Sequence, residues 1–73
     1  MIKISVFFRL KDGVIVEVQK KVVLEKARNE RETPNTLPLS DFDIYCMEIN
    51  DIANSEYYKD AEIIASSFGP FNL

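Results

Sequence analysis

Histidine is absent from this 73-residue chain, and only one cysteine, two glycines and three prolines are present. Each shortage excludes something. Without histidine the chain lacks the side chain that most often serves as a general base near neutral pH. A single cysteine, Cys46, cannot close an internal disulfide, which fits a reducing compartment. Two glycines are too few for a phosphate-cradling loop, and Gly13 and Gly69 both read as turn or stop residues. No apolar run approaches the roughly 18 residues that a membrane span needs. The apolar start, Met1 to Phe8, has Lys3 and Arg9 too close together for a secretory signal core. The expected setting is the cytoplasm, away from membranes.

What is present is a compact set of core formers: 47% of residues are apolar and 29% charged. A chain of this mass can bury about 60% of its unfolded surface, enough for one small core. Residues 1–73 are therefore expected to form a single domain.

Ile2, Ile4, Val6, Phe8 and Leu10 alternate with Lys3, Ser5, Phe7 and Arg9, the period of a half-buried strand. Asp12-Gly13 is a turn signal, after which Val14, Val16, Val18, Val22 and Leu24 resume the stripe, with Lys20 as an interruption. A two-residue turn would put the two apolar stripes on opposite faces. A three-residue loop, Lys11-Asp12-Gly13, pairs Phe8 with Val16 and Val6 with Val18 and unites them. Gly13 can supply the left-handed residue that such loops use. A hairpin over residues 2–24 follows.

Residues 25–39 are charged and then turn-rich, with Pro34 and Pro38 excluding regular structure at their end. They read as a mobile connection, although Arg28 and Glu32 have the spacing of a helical extension. Ser40 then caps a helix, with Asp41 and Asp43 in its first turn and Leu39 and Ile44 placed as a hydrophobic staple. Phe42, Cys46, Ile49 and Ala53 follow at helical spacing, flanked by Tyr45 and Ile52. Tyr57, Ala61, Ile64, Ala65 and Phe68 suggest a second helix, stopped by Gly69-Pro70, so that residues 41–68 are helical. The alternative is a third strand around residues 62–68, suggested by Ile63-Ile64. The fold class is α+β: an antiparallel β-hairpin followed by one or two amphipathic helices, or by a helix and a third antiparallel strand.

Charge is divided along the chain. Residues 1–40 balance at +3, whereas residues 41–73 carry seven acids and only Lys59, a balance of −6 that brings the chain to −3. That excess reads either as a solvated helical face or as an acidic surface offered to a basic partner. Phosphate binding needs a basic stripe, so no direct nucleic-acid contact is expected.

Catalytic groups are scarce. Cys46 lies on the apolar stripe and reads as a small core residue. Asp41, Asp43 and Glu48 are the one carboxylate cluster, but their spacing on a helix aims them apart, so no metal site is expected. Neither enzyme activity nor a cofactor is expected. Surface remains: Phe7 and Ile15 point away from the core face, and both hairpin strands have open edges.

Leu39-Ser40-Asp41-Phe42-Asp43-Ile44, after an Asp-Gly hairpin in a small acidic chain, resembles the uracil-DNA glycosylase inhibitors of phi29-like Bacillus phages. The resemblance covers six residues. It implies a dimeric, non-catalytic protein in which a hairpin precedes a helix. An aromatic pair on that helix grips an apolar side chain of the glycosylase, and acidic neighbours imitate DNA phosphates. Phe42 matches the first aromatic and Asp43 an acidic neighbour; Cys46 stands where the second aromatic belongs, with Tyr45 beside it. The expected function is an acidic protein-binding module, an inhibitor that occludes the basic nucleic-acid-binding surface of a host enzyme. The alternatives are blockade of another host defence or transcription protein, and a structural homo-oligomeric subunit. The partner-binding residues are expected among Phe42, Asp43, Tyr45, Cys46, Glu48 and Asp51, with Phe7 and Ile15 on the hairpin.

Overall fold

The computed structural model describes residues 1–35 and 38–70. Thr36 and Leu37, part of the expected connection, lie outside the described residues, as do residues 71–73. The chain runs β1 (Ile2–Arg9), β2 (Ile15–Val22), α1 (Leu24–Arg31), α2 (Asp41–Ala53) and β3 (Glu62–Pro70). The sheet order is β2-β1-β3, with β1 antiparallel to both neighbours. The fold is α+β, a hairpin, helices and a third antiparallel strand.

Burial selects the hairpin register expected from the alternation. Phe8 pairs with Val16 and Val6 with Val18, and the Leu10 N–H donates to the Val14 carbonyl at 2.9 Å. Gly13 closes the loop at φ +87°, and the Asp12 carboxylate accepts from the Val14 N–H at 3.1 Å. Space around Gly13 is open, so Gly13→Ala meets no clash, only the backbone strain of a left-handed alanine. That variant should lose about 1 kcal/mol of stability in a thermal melt. An unchanged melting temperature would contradict the loop.

Ile4, Val6 and Phe8 on the central strand are fully buried and meet Ile44 and Tyr45 of α2, with Val22 and Ala27 completing the core. Lys3, Ser5, Phe7 and Arg9 alternate onto the opposite face. The molecule exposes 5196 Å², above the roughly 4,600 Å² of a compact monomer of this mass.

Three expectations are corrected. Residues 25–39 do not begin as a mobile connection, because α1 occupies Leu24–Arg31. Glu25, Lys26, Ala27 and Arg28 are good helix formers, and the helix is tied down by side chains. The Arg28 guanidinium donates to the Leu39 carbonyl at 3.1 Å and to Asp41, and the Leu39 N–H donates to Glu32 at 3.0 Å. Residues 41–68 are not helical throughout. α2 ends at Ala53 with Asn54 as its cap, turns follow, and β3 takes up the Ile63-Ile64 segment against β1. The vacant edge of β1 wins over helical spacing because it can pair a whole strand of backbone groups. Gly69-Pro70 is accordingly the end of a strand and not a helix stop.

The third correction is the face of α2. Ile44, Tyr45 and Glu48 are buried, whereas Phe42 and Cys46 are exposed, so the core takes a sector beside the expected stripe.

Candidate protein-interaction face

Ser40 starts α2 through a reciprocal capping box. Its Oγ accepts from the Asp43 N–H at 3.1 Å, and the Asp43 carboxylate accepts from the Ser40 N–H at 2.9 Å. The backbone and then the side chain of Ser40 hold the Asp43 carboxyl below its ordinary pKa. The cap fixes where the helix begins, and burial of Ile44, Tyr45 and Glu48 sets which side of it faces the core. The Tyr45 hydroxyl donates to Ser66 Oγ of β3 at 2.7 Å, and its ring lies 4.5 Å from that of Phe68. The Phe42 ring stands 6.1 Å from that of Tyr45. Phe42, Tyr45 and Phe68 form an aromatic group in which the central ring is buried and the outer two are 63% and 47% exposed.

β3 extends that surface. Residues 62–68 are all exposed, one edge is paired to β1, and the other edge has no neighbour in the sheet among the described residues. Glu62 is its one charged residue. Edge strands are ordinarily guarded by charge, as β2 is by Glu17, Lys20 and Lys21.

The eight residues expected to bind a partner are separated into three places. Phe42, Tyr45 and Cys46 lie on or beside the aromatic group, with Asp43 occupied as a cap. Phe7 and Ile15 are on the opposite sheet face, Ile15 54% exposed and Phe7 half-buried. Glu48 and Asp51 face α1, where Arg31 donates to Glu48 at 2.6 Å and also holds Asp51 at 2.5 Å. Cys46, expected in the core, is an exposed free thiol.

Glu48 is 5% exposed, and its Oε1 meets the Lys20 ammonium at 2.5 Å. Lys20 interrupts the inner stripe of β2 and Glu48 the inner face of α2, and they interrupt them for each other. Burial pushes the Glu48 carboxyl up, but Lys20 and Arg31 outweigh it and leave the pKa lowered. That pairing belongs to a wider pattern. Of the seven acids beyond residue 40, Asp41, Glu48, Asp51 and Glu62 pair with Arg28, Lys20 and Arg31, Arg31, and Arg9 respectively. Much of the divided charge of the sequence is thus consumed inside the fold.

Asp41, Asp43 and Glu48 are each engaged elsewhere, and no group of three metal-ligating side chains occurs among the described residues. A cleft of about 260 Å³ lies between β2 and α1, lined in part by Lys20, Lys26 and Glu48. A second, of about 390 Å³, is an open flank of α1. Neither lies at the aromatic group, which is an outward surface. Among the described residues no helix is long and apolar enough to cross a membrane. No known protein family, curated protein or solved structure matches this chain.

Proposed function

We propose that this chain is a non-catalytic protein-binding module that engages its partner through the free edge of β3 and the aromatic group beside it. The observation that carries this reading is the exposure of an almost uncharged nine-residue edge strand, continuous with Phe42 and Phe68. Such an edge offers backbone donors and acceptors for strand addition, and the rings offer apolar anchors. The test is capture from host lysate by the wild type and by Phe42→Lys. One protein retained by the wild type and lost by the variant is expected; equal capture by both would refute this face.

A narrower reading is an inhibitor, of phage or mobile-element type, that occludes the basic nucleic-acid-binding surface of a host enzyme. It is favoured by one observation: Phe42 and Tyr45 form an aromatic pair on the first turns of α2, the stretch that also carries Asp43. The acidic half supports it less, because four of its carboxylates are already paired within the chain. Uracil excision by a host glycosylase, measured with the chain in excess, decides the glycosylase form. Undiminished excision would remove that form and leave the broader module standing.

A further inference from the structure

We propose that α1 is a salt-labile strap, which opens as a unit while the sheet and α2 stay folded, and which when closed masks an acidic stripe on α2.

Helical spacing sets the stripe. Asp41, Glu48 and Asp51 stand at i, i+7 and i+10, so they line one side of α2. Arg28 and Arg31, three positions apart on α1, sit across that line. Arg28 pairs with Asp41, while Arg31 donates to Glu48 at 2.6 Å and holds Asp51 at 2.5 Å. Just past the helix, Glu32 accepts from the Leu39 N–H at 3.0 Å. The ties between the two helices are thus charges and hydrogen bonds.

Little else holds α1. Ala27 is its one buried residue of eight, and Val23 gives its first turn no side-chain cap. A cleft of about 260 Å³ lies between it and β2, bordered by Val22 and Ala27, so its contact with the sheet is incomplete. Eight residues also fall short of the roughly 12–15 that an isolated helix needs. Once the arginines let go, α1 unwinds.

Salt acts on these ties more than on the core. Asp41 and Asp51 are both more than half exposed, so their pairs with the arginines are open to screening. The Debye length falls from about 10 Å at 0.1 M to about 3 Å at 1 M. The cluster of Ile4, Val6, Phe8 and Ile44 is apolar and has no such dependence. Opening of α1 is therefore a local event with its own salt response. It hands Asp41 and Asp51 to solvent and leaves Glu48 with Lys20 alone. A closed α1 accordingly withholds these acids from any basic surface. That consequence bears on the narrower inhibitor reading, but the strap stands without it.

Amide exchange on the full chain, with no partner present, tests the strap alone. The amides of residues 27–32 should exchange faster than those of Ile4, Val6 and Phe8. The ratio of the two rates should rise about tenfold between 0.1 M and 1 M sodium chloride. Arg28→Gln leaves Glu48 with both of its cations; it should raise the ratio at 0.1 M and flatten its rise with salt, with β1 exchange unchanged. Equal exchange in α1 and β1 would overturn the proposal, because α1 would then open only with the whole fold. A ratio indifferent to salt, or to Arg28→Gln, would overturn it as well, since packing would then be what holds the helix. Undiminished uracil excision removes the glycosylase inhibitor and leaves these exchange results, and the strap, untouched.

Discussion

Phe8→Ala is expected to cost about 4 kcal/mol and to leave the chain at the edge of unfolding at room temperature. A 73-residue domain has roughly 4–11 kcal/mol of stability in all, so one such loss decides whether it folds. Phe8 is fully buried on the central strand, between Val16 of β2 and Ile63 of β3, and its ring is stacked 4.7 Å from that of Tyr58. Truncation removes contacts with both flanking strands and with the turns that follow α2. Phe7, its neighbour on the open face, is the internal comparison, because Phe7→Ala should cost only about 1 kcal/mol. Urea melts followed by circular dichroism measure both. Equal losses at the two positions would mean that the faces of β1 are assigned wrongly.

The second large effect is expected at Glu48. Glu48→Gln removes the negative charge that Lys20 and Arg31 share and should destabilise the chain by about 2–3 kcal/mol at neutral pH. The loss falls at and below the low end of the range for a broken buried pair, since Lys20 is 46% exposed and can regain water while Arg31 keeps Asp51. The same substitution changes the acid limb. Because the folded-state pKa of Glu48 is lowered, its stabilisation is complete above the unfolded value and is lost as pH falls through the folded one. Wild-type stability should therefore drop below about pH 4 more steeply than that of Glu48→Gln. Parallel acid limbs in the two proteins would show that Glu48 is not held as a buried anion.

How far the sequence revealed these groups differs residue by residue. The hairpin was legible because alternation and one Asp-Gly turn act between neighbours, and only one loop length put Val6, Phe8, Val16 and Val18 on the same side. The start of α2 was legible for the same reason, since a capping box is a contact between residues three apart. The Lys20–Glu48 pair was half legible. Lys20 stood out as an interruption of its stripe, but its partner lies 28 positions away, and no local pattern joins a strand to a helix. Cys46 misled because its flank of α2 is apolar in sequence, while the monomer buries the neighbouring sector.

Helix α1 and strand β3 show the remaining difficulty. A charged octapeptide such as Leu24–Arg31 has little intrinsic stability as a helix, and it is the docking of Arg28 and Arg31 onto α2 that secures it. Residues 57–68 carry a helical spacing and a β-branched pair at once. Local preference leaves those two states close in energy.

The chain on its own therefore settled what neighbouring residues decide: the hairpin with its three-residue loop, the capped beginning of α2, and the α+β class. Folding in three dimensions decided the rest: which sector of α2 faces the core, where the carboxylates find their cations, and that the last segment is a strand. The reason is distance along the chain. Ile2 pairs with Pro70, and a contact between residues so far apart depends on the free edge of β1, which exists only once the hairpin has formed.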